Sequence, residues 1–138
     1  LLKTFAAVAK NLLMEHVLIV HGFDGLDEIT ITDSTYVTEL QNKEIKHYEI
    51  SPKDFGLSLG KLSEISAQSP DESLELIRGA FAGEKSAVQD MIALNAGAAL
   101  YVARKADSIS EGTELSFTLM NNGMAADKLA SYVRVSNS

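Results

Sequence analysis

Apolar residues recur at helical spacing at the start of the chain. Leu1, Leu2, Phe5, Ala6, Val8, Ala9, Leu12 and Leu13 mark one such helix. The pattern then changes: Val17-Leu18-Ile19-Val20 is a continuous apolar run, as expected of a parallel strand covered on both faces. Residues 35–50, TYVTELQNKEIKHYEI, place Val37 and Leu40 on one side of a polar centre and Ile45, Tyr48 and Ile50 on the other. Asn42 in that centre tolerates positive φ, so the segment reads as a hairpin. SPKDFGL follows as a loop, with Pro52 ending the strand.

The remainder is helical. Ser69-Pro70-Asp71-Glu72 carries a capping box with proline at the first helical position, and Gly83 ends that helix. A longer helix is expected from about Ser86 to Lys105, with Ala93, Ala96 and Ala99 permitting a neighbour's close approach. Ser108 and Glu111 cap a further helix ending near Gly123, and a last one covers roughly 124–133, before a disordered Ser-Asn-Ser tail. Helix, buried strand and glycine-bearing bend in succession read as an α/β unit. No repeat or long linker interrupts the chain, so one domain is expected.

Charge and composition narrow the chemistry. The 138 residues carry a net charge of −7, which argues against nucleic acid or an anionic membrane as partner. A phosphate substrate remains open, because a metal ion inverts the local field. The absence of cysteine removes disulfides, thiolate catalysis and cysteine-bound zinc. No apolar run approaches the roughly 20 residues that span a bilayer. Lys3, Lys10 and Asn11 interrupt the first apolar stretch, no cleavage site follows, and the expectation is a cytoplasmic protein. Leu1 already belongs to a helical pattern, which suggests a piece of a longer polypeptide.

The candidate site is VLIVHGFDGLDEIT, residues 17–30. It leaves the buried run for a bend holding two glycines and the acids Asp24, Asp27 and Glu28. Ligands of open α/β sheets bind beyond the carboxyl ends of strands. Magnesium takes one or two carboxylates together with waters and substrate phosphates. Asp27 and Glu28 could supply that pair; acids on turns are common, however, and spacing alone favours solvated residues of a mobile turn, with Asp24-Gly25 a tight turn. His21 is expected to bond the loop backbone, while His16 and His47 carry no expected role. Asn95 is unfavourable in mid-helix unless bonded, and reads as reaching a neighbouring loop or a ligand. Neither G-x-S-x-G nor G-x-G-x-x-G nor a P-loop occurs.

Taken in order, VLIVHGFDGLDEIT, VTEL, EIKHYEISPKDFGL, IRGAFAGEKSAVQDMIALNAGAALYVARKADS and NNGMAADKLASY resemble the carboxy-terminal part of the anthranilate phosphoribosyltransferases. The likeness runs from about residue 1 to 133. It implies a fold of the nucleoside phosphorylase/phosphoribosyltransferase type, a central sheet with covering helices, of which residues 1–138 form the C-terminal portion of the α/β domain. It also implies transfer of phosphoribosyl from phosphoribosyl pyrophosphate to anthranilate, with pyrophosphate released, in tryptophan biosynthesis. Magnesium (Mg2+) would be held by the acid pair of the GLDE motif, here Asp27 and Glu28. The intact enzyme would be a homodimer. The family's GTGGD-type donor loop and its N-terminal helical domain have no counterpart in these residues, so the 138 residues alone are expected to be inactive. Ser73 and Gly97 depart from the family's asparagine and alanine, changes expected to affect packing. A pyrimidine nucleoside phosphorylase and a truncated, non-catalytic binding module are the alternatives.

Overall fold

The computed structural model describes residues 1–137. Helix α1 (Leu2–Asn11) leads into strand β1 (His16–Gly22), followed by β2 (Thr35–Gln41) and β3 (Glu44–Ile50). The sheet order is β1-β2-β3, and both pairings are antiparallel. A single turn of 3₁₀ helix (Pro52–Phe55) and a short α2 (Leu62–Ile65) precede four helices. These are α3 (Pro70–Phe81), α4 (Ala87–Val102), α5 (Ile109–Asn121) and α6 (Met124–Ser136).

The hairpin forms where expected. Asn42 and Lys43 take φ values of 51° and 68°, the left-handed pair that a two-residue turn needs to match strand twist. The parallel expectation for residues 17–20 fails, since β1 runs antiparallel to β2 with Val20 opposite Val37. An apolar run reports cover on both faces and says nothing about strand direction. That cover is present: α1 packs on β1 and β2 from one side through buried Ala6 and Ala9, and α4 lies on the other.

The α4 side holds the core. Val37, Ile50, Leu94, Ala98 and Ile109 enclose Ile29 and Ile31, which follow the bend. Each of α3, α4 and α5 begins at a serine, Ser69, Ser86 and Ser108, whose hydroxyl accepts the N–H of the third helical residue. Glu72 and Glu111 bond the N–H of Gln68 and Asp107, one residue outside the expected box. The close helix contact differs from the alanine stripe expected. Ala99 is exposed, and Gly97 meets Gly112 instead; a Cβ on Gly97 would lie 2.4 Å from the Thr113 nitrogen. This glycine is a packing residue. The tail also differs: Ser136 is helical and Asn137 caps α6, while Ser138 lies outside the described residues.

Candidate functional site: a tied bend and its acid pair

The bend after β1 is held by its own backbone and by Asp24. The Gly22 N–H donates to the Leu26 carbonyl at 2.8 Å, and the Phe23 N–H to the Ser34 carbonyl at 2.9 Å. Asp24 accepts the Leu26 N–H at 3.1 Å and the hydroxyls of Thr30 and Thr32. Burial pushes this carboxyl up, but the two hydroxyls and the backbone outweigh it and hold it below the usual carboxylate value. A Cβ at Gly22 would lie 2.4 Å from the Asp24 carboxylate, so only glycine lets the knot close. Gly25, at φ 94°, makes the turn. Phe23 stacks on Tyr36 with ring centroids 3.9 Å apart. The turn is therefore a tied structure rather than a mobile one, and Asp24 is occupied in tying it.

Asp27 and Glu28 behave differently. Both are exposed, and neither carboxylate has a hydrogen-bond or ion-pair partner among the described residues. Asp27 borders a groove of about 460 Å³ between α1 and the open edge of β1, lined also by Phe5, Leu12 and Val20; Glu28 is not part of that lining. No group of three or more His, Cys, Asp or Glu side chains at metal-binding spacing exists among the described residues. The donor set still suits a hard divalent ion, because magnesium needs only one or two protein carboxylates and takes phosphate and water for the rest.

Asn95 of α4 reaches this bend, as the sequence suggested. Its Oδ1 accepts the Ile29 N–H at 3.0 Å and its Nδ2 donates to the Ile29 carbonyl at 2.8 Å and the Met91 carbonyl at 3.0 Å. His21 corrects the expectation: it is exposed and no bond to the loop backbone is found among the described residues. His47 bonds Thr38 on β2 at 2.9 Å.

Sequence reasoning missed a second acidic centre. Glu39 on β2 is 7% exposed. One oxygen accepts the Tyr101 hydroxyl and His16 Nε2, both at 2.8 Å; the other accepts the Tyr48 hydroxyl at 3.0 Å. All three strands and α4 thus meet on one carboxylate. Burial first, then the Glu39 charge, pushes the Tyr48 phenol up; burial and the bond to Glu39 do the same for Tyr101. The available signal was the acid in the middle of an otherwise buried strand, VTEL.

The layered sheet and its covering helices superpose on solved structures of similar proteins. The chain belongs to the glycosyl transferase family, a/b domain, whose model matches residues 1–126. Within it, the similar proteins are anthranilate phosphoribosyltransferases. That of Vesicomyosocius okutanii is 45% identical over 99% of this chain, and that of Acetivibrio thermocellus 38% identical over all of it. The crystal structure of anthranilate phosphoribosyltransferase (TrpD) from Thermus thermophilus superposes with a TM-score of 0.88, at 30% identity over 99% of this chain. The Saccharomyces cerevisiae enzyme in complex with PRPP and Mg shares the fold, with a TM-score of 0.86 at 21% identity over 99% of this chain. The chain spans about 40% of the length of each of these four relatives.

Proposed function

We propose that this chain is the C-terminal portion of the α/β domain of an anthranilate phosphoribosyltransferase, and that Asp27 and Glu28 are its magnesium ligands. The substrates would be phosphoribosyl pyrophosphate and anthranilate in tryptophan biosynthesis. The observation that carries the site is the contrast within one bend: Asp24 is bonded on both oxygens, whereas the acid pair is exposed, without partners among the described residues, on a fixed backbone. Mg2+ bound there would neutralise and orient the departing pyrophosphate as charge builds on it. The chain's own contribution is to present two carboxylates on a backbone that needs no reordering when the donor arrives. The anthranilate amine is already a nucleophile, so positioning of the two substrates accounts for much of the remaining rate.

The open edge of β1 and the outer face of α1 support a larger whole. Phe5 is 57% exposed, Leu12 69% and Leu13 83%. Covering each such side chain contributes about 1.5–3 kcal/mol, so this face suits the rest of a catalytic domain. The GTGGD-type donor loop and the N-terminal helical domain, through which the whole enzyme would form a homodimer, belong to that remainder. The enzyme would be cytoplasmic, with no nucleic acid or membrane partner. The relatives found give no support to the nucleoside phosphorylase reading or to that of a non-catalytic module.

The test is Asp27→Asn with Glu28→Gln in the whole enzyme. Turnover should fall about a hundredfold or more, the loss of several kcal/mol of charge stabilisation, and the Mg2+ requirement should rise. Unchanged Mg2+ dependence removes the assignment. The 138 residues alone, given donor, Mg2+ and anthranilate, should show no turnover; a rate near that of the whole enzyme would overturn the division proposed here.

A further inference from the structure

We propose that Asn95 is the positioning residue of the Asp27–Glu28 pair, a role that rests on the metal reading above. The argument starts from peptide planes. The Leu26 carbonyl lies in the plane that enters Asp27, and the Gly22 N–H holds it at 2.8 Å. The Ile29 N–H lies in the plane that leaves Glu28, and Asn95 Oδ1 holds it at 3.0 Å. The two acids are thus fixed at both ends by hydrogen bonds to adjoining peptide units. Each backbone dihedral between these planes helps set where a carboxylate points, so loosening either plane lets the pair swing.

The two anchors are not equivalent. That at Leu26 is local to the bend, whereas Asn95 is 66 residues away and brings the rigidity of α4 to the site. Its amide pairs with Ile29 through both the N–H and the carbonyl, as a neighbouring strand would, and the third bond, to Met91, stops the side chain rotating. The Ile29 side chain is 2% exposed in the core, so the residue after Glu28 cannot slide to compensate. An asparagine in a helix interior is otherwise unfavourable. Side chains that orient metal ligands without touching the metal commonly matter for affinity by roughly 10–100-fold.

A matched control lies on the same helix. Gln89 is also a buried amide, bonded to the Ala80 carbonyl and to Asn121, each at 3.2 Å. The experiment uses the whole enzyme, with Mn2+ as a spectroscopic stand-in for Mg2+, binding read by water-proton relaxation and melting temperature recorded alongside. Asn95→Leu should weaken Mn2+ binding roughly 10–100-fold. Asn95→Asp keeps an acceptor for the Ile29 N–H but sets a carboxylate oxygen against the Ile29 and Met91 carbonyls, and should weaken binding about tenfold. Gln89→Leu should lower the melting temperature and leave Mn2+ affinity at the wild-type level. Wild-type affinity in the Asn95 variants, or an equal loss in Gln89→Leu, overturns the proposal. If Asn95→Leu does not fold, unchanged affinity in Asn95→Asp overturns it. If Asp27→Asn with Glu28→Gln retains Mn2+ binding, the metal reading fails and takes this proposal with it. If that pair abolishes binding while the Asn95 variants bind normally, the positioning role alone fails.

Discussion

Glu39 and the Asp27–Glu28 pair are carboxylates of one chain in opposite circumstances. Glu39 is buried and saturated by donors from β1, β3 and α4. The pair is exposed and has no donor among the described residues. The comparison separates two uses of negative charge. An acid whose bonds are all internal stabilises the fold that surrounds it. An acid left without partners, on a backbone fixed by other groups, is available to something outside. Asp24 stands between the two: its residue is exposed, yet its oxygens are occupied.

Substitutions can break this comparison in order of effect. The exchange of Asp27 and Glu28 for amides should cause the largest loss, in turnover, while unfolding free energy stays within about 0.5 kcal/mol. A large drop in melting temperature would mean that the pair has internal partners after all. Glu39→Leu should do the reverse. Removing the shared acceptor strands two phenols and an imidazole, and should cost about 3 kcal/mol in denaturant unfolding. The Mn2+ affinity of the folded fraction should not change; a matching loss of Mn2+ binding would erase the distinction between the two centres.

Asp24 gives a smaller effect with a defined pH dependence. Its folded carboxyl titrates below the ordinary value of 3.8, so its contribution is present above that value. The contribution disappears as pH falls through the lower folded value. Asp24 is exposed and its charge screened by solvent, so Asp24→Asn should be less stable by about 0.5–1 kcal/mol at neutral pH, with the difference closing in strong acid. A constant difference from neutral pH to acid would show that ionisation is not what ties the bend. The smallest effect is a calibration. Ser108→Ala removes a helix cap that bonds neither acidic centre and should cost about 1 kcal/mol without altering Mn2+ binding.

Much of this arrangement was legible in the sequence, because the signals were local. Ser69 and Ser108 mark helix starts by a hydroxyl three residues before the N–H it accepts, and Asn42 marks the hairpin by its tolerance of positive φ. Asn95 was legible as an amide needing a partner, though not which partner. What was lost depends on distance in the chain. Strand direction for residues 17–20 is set by pairing with residues 35–41, which an apolar run does not encode. Glu39 gathers His16, Tyr48 and Tyr101 from three other elements, and no spacing rule connects them. His16 was passed over because its partner lies 23 residues on. The acid pair was a candidate from spacing, assigned a metal only through the resemblance, and its lack of partners among the described residues is a property that only the folded arrangement reveals.

The bare contact of Gly97 with Gly112 has a consequence for the bend that its position conceals. It sets the depth at which α4 lies against α5, to within the thickness of a methyl group. Asn95 stands only two residues upstream on the same rigid rod. A methyl at position 97 would meet the Thr113 backbone nitrogen at 2.4 Å, so the station from which Asn95 reaches Ile29 depends on a glycine that stands where the resemblance expects alanine.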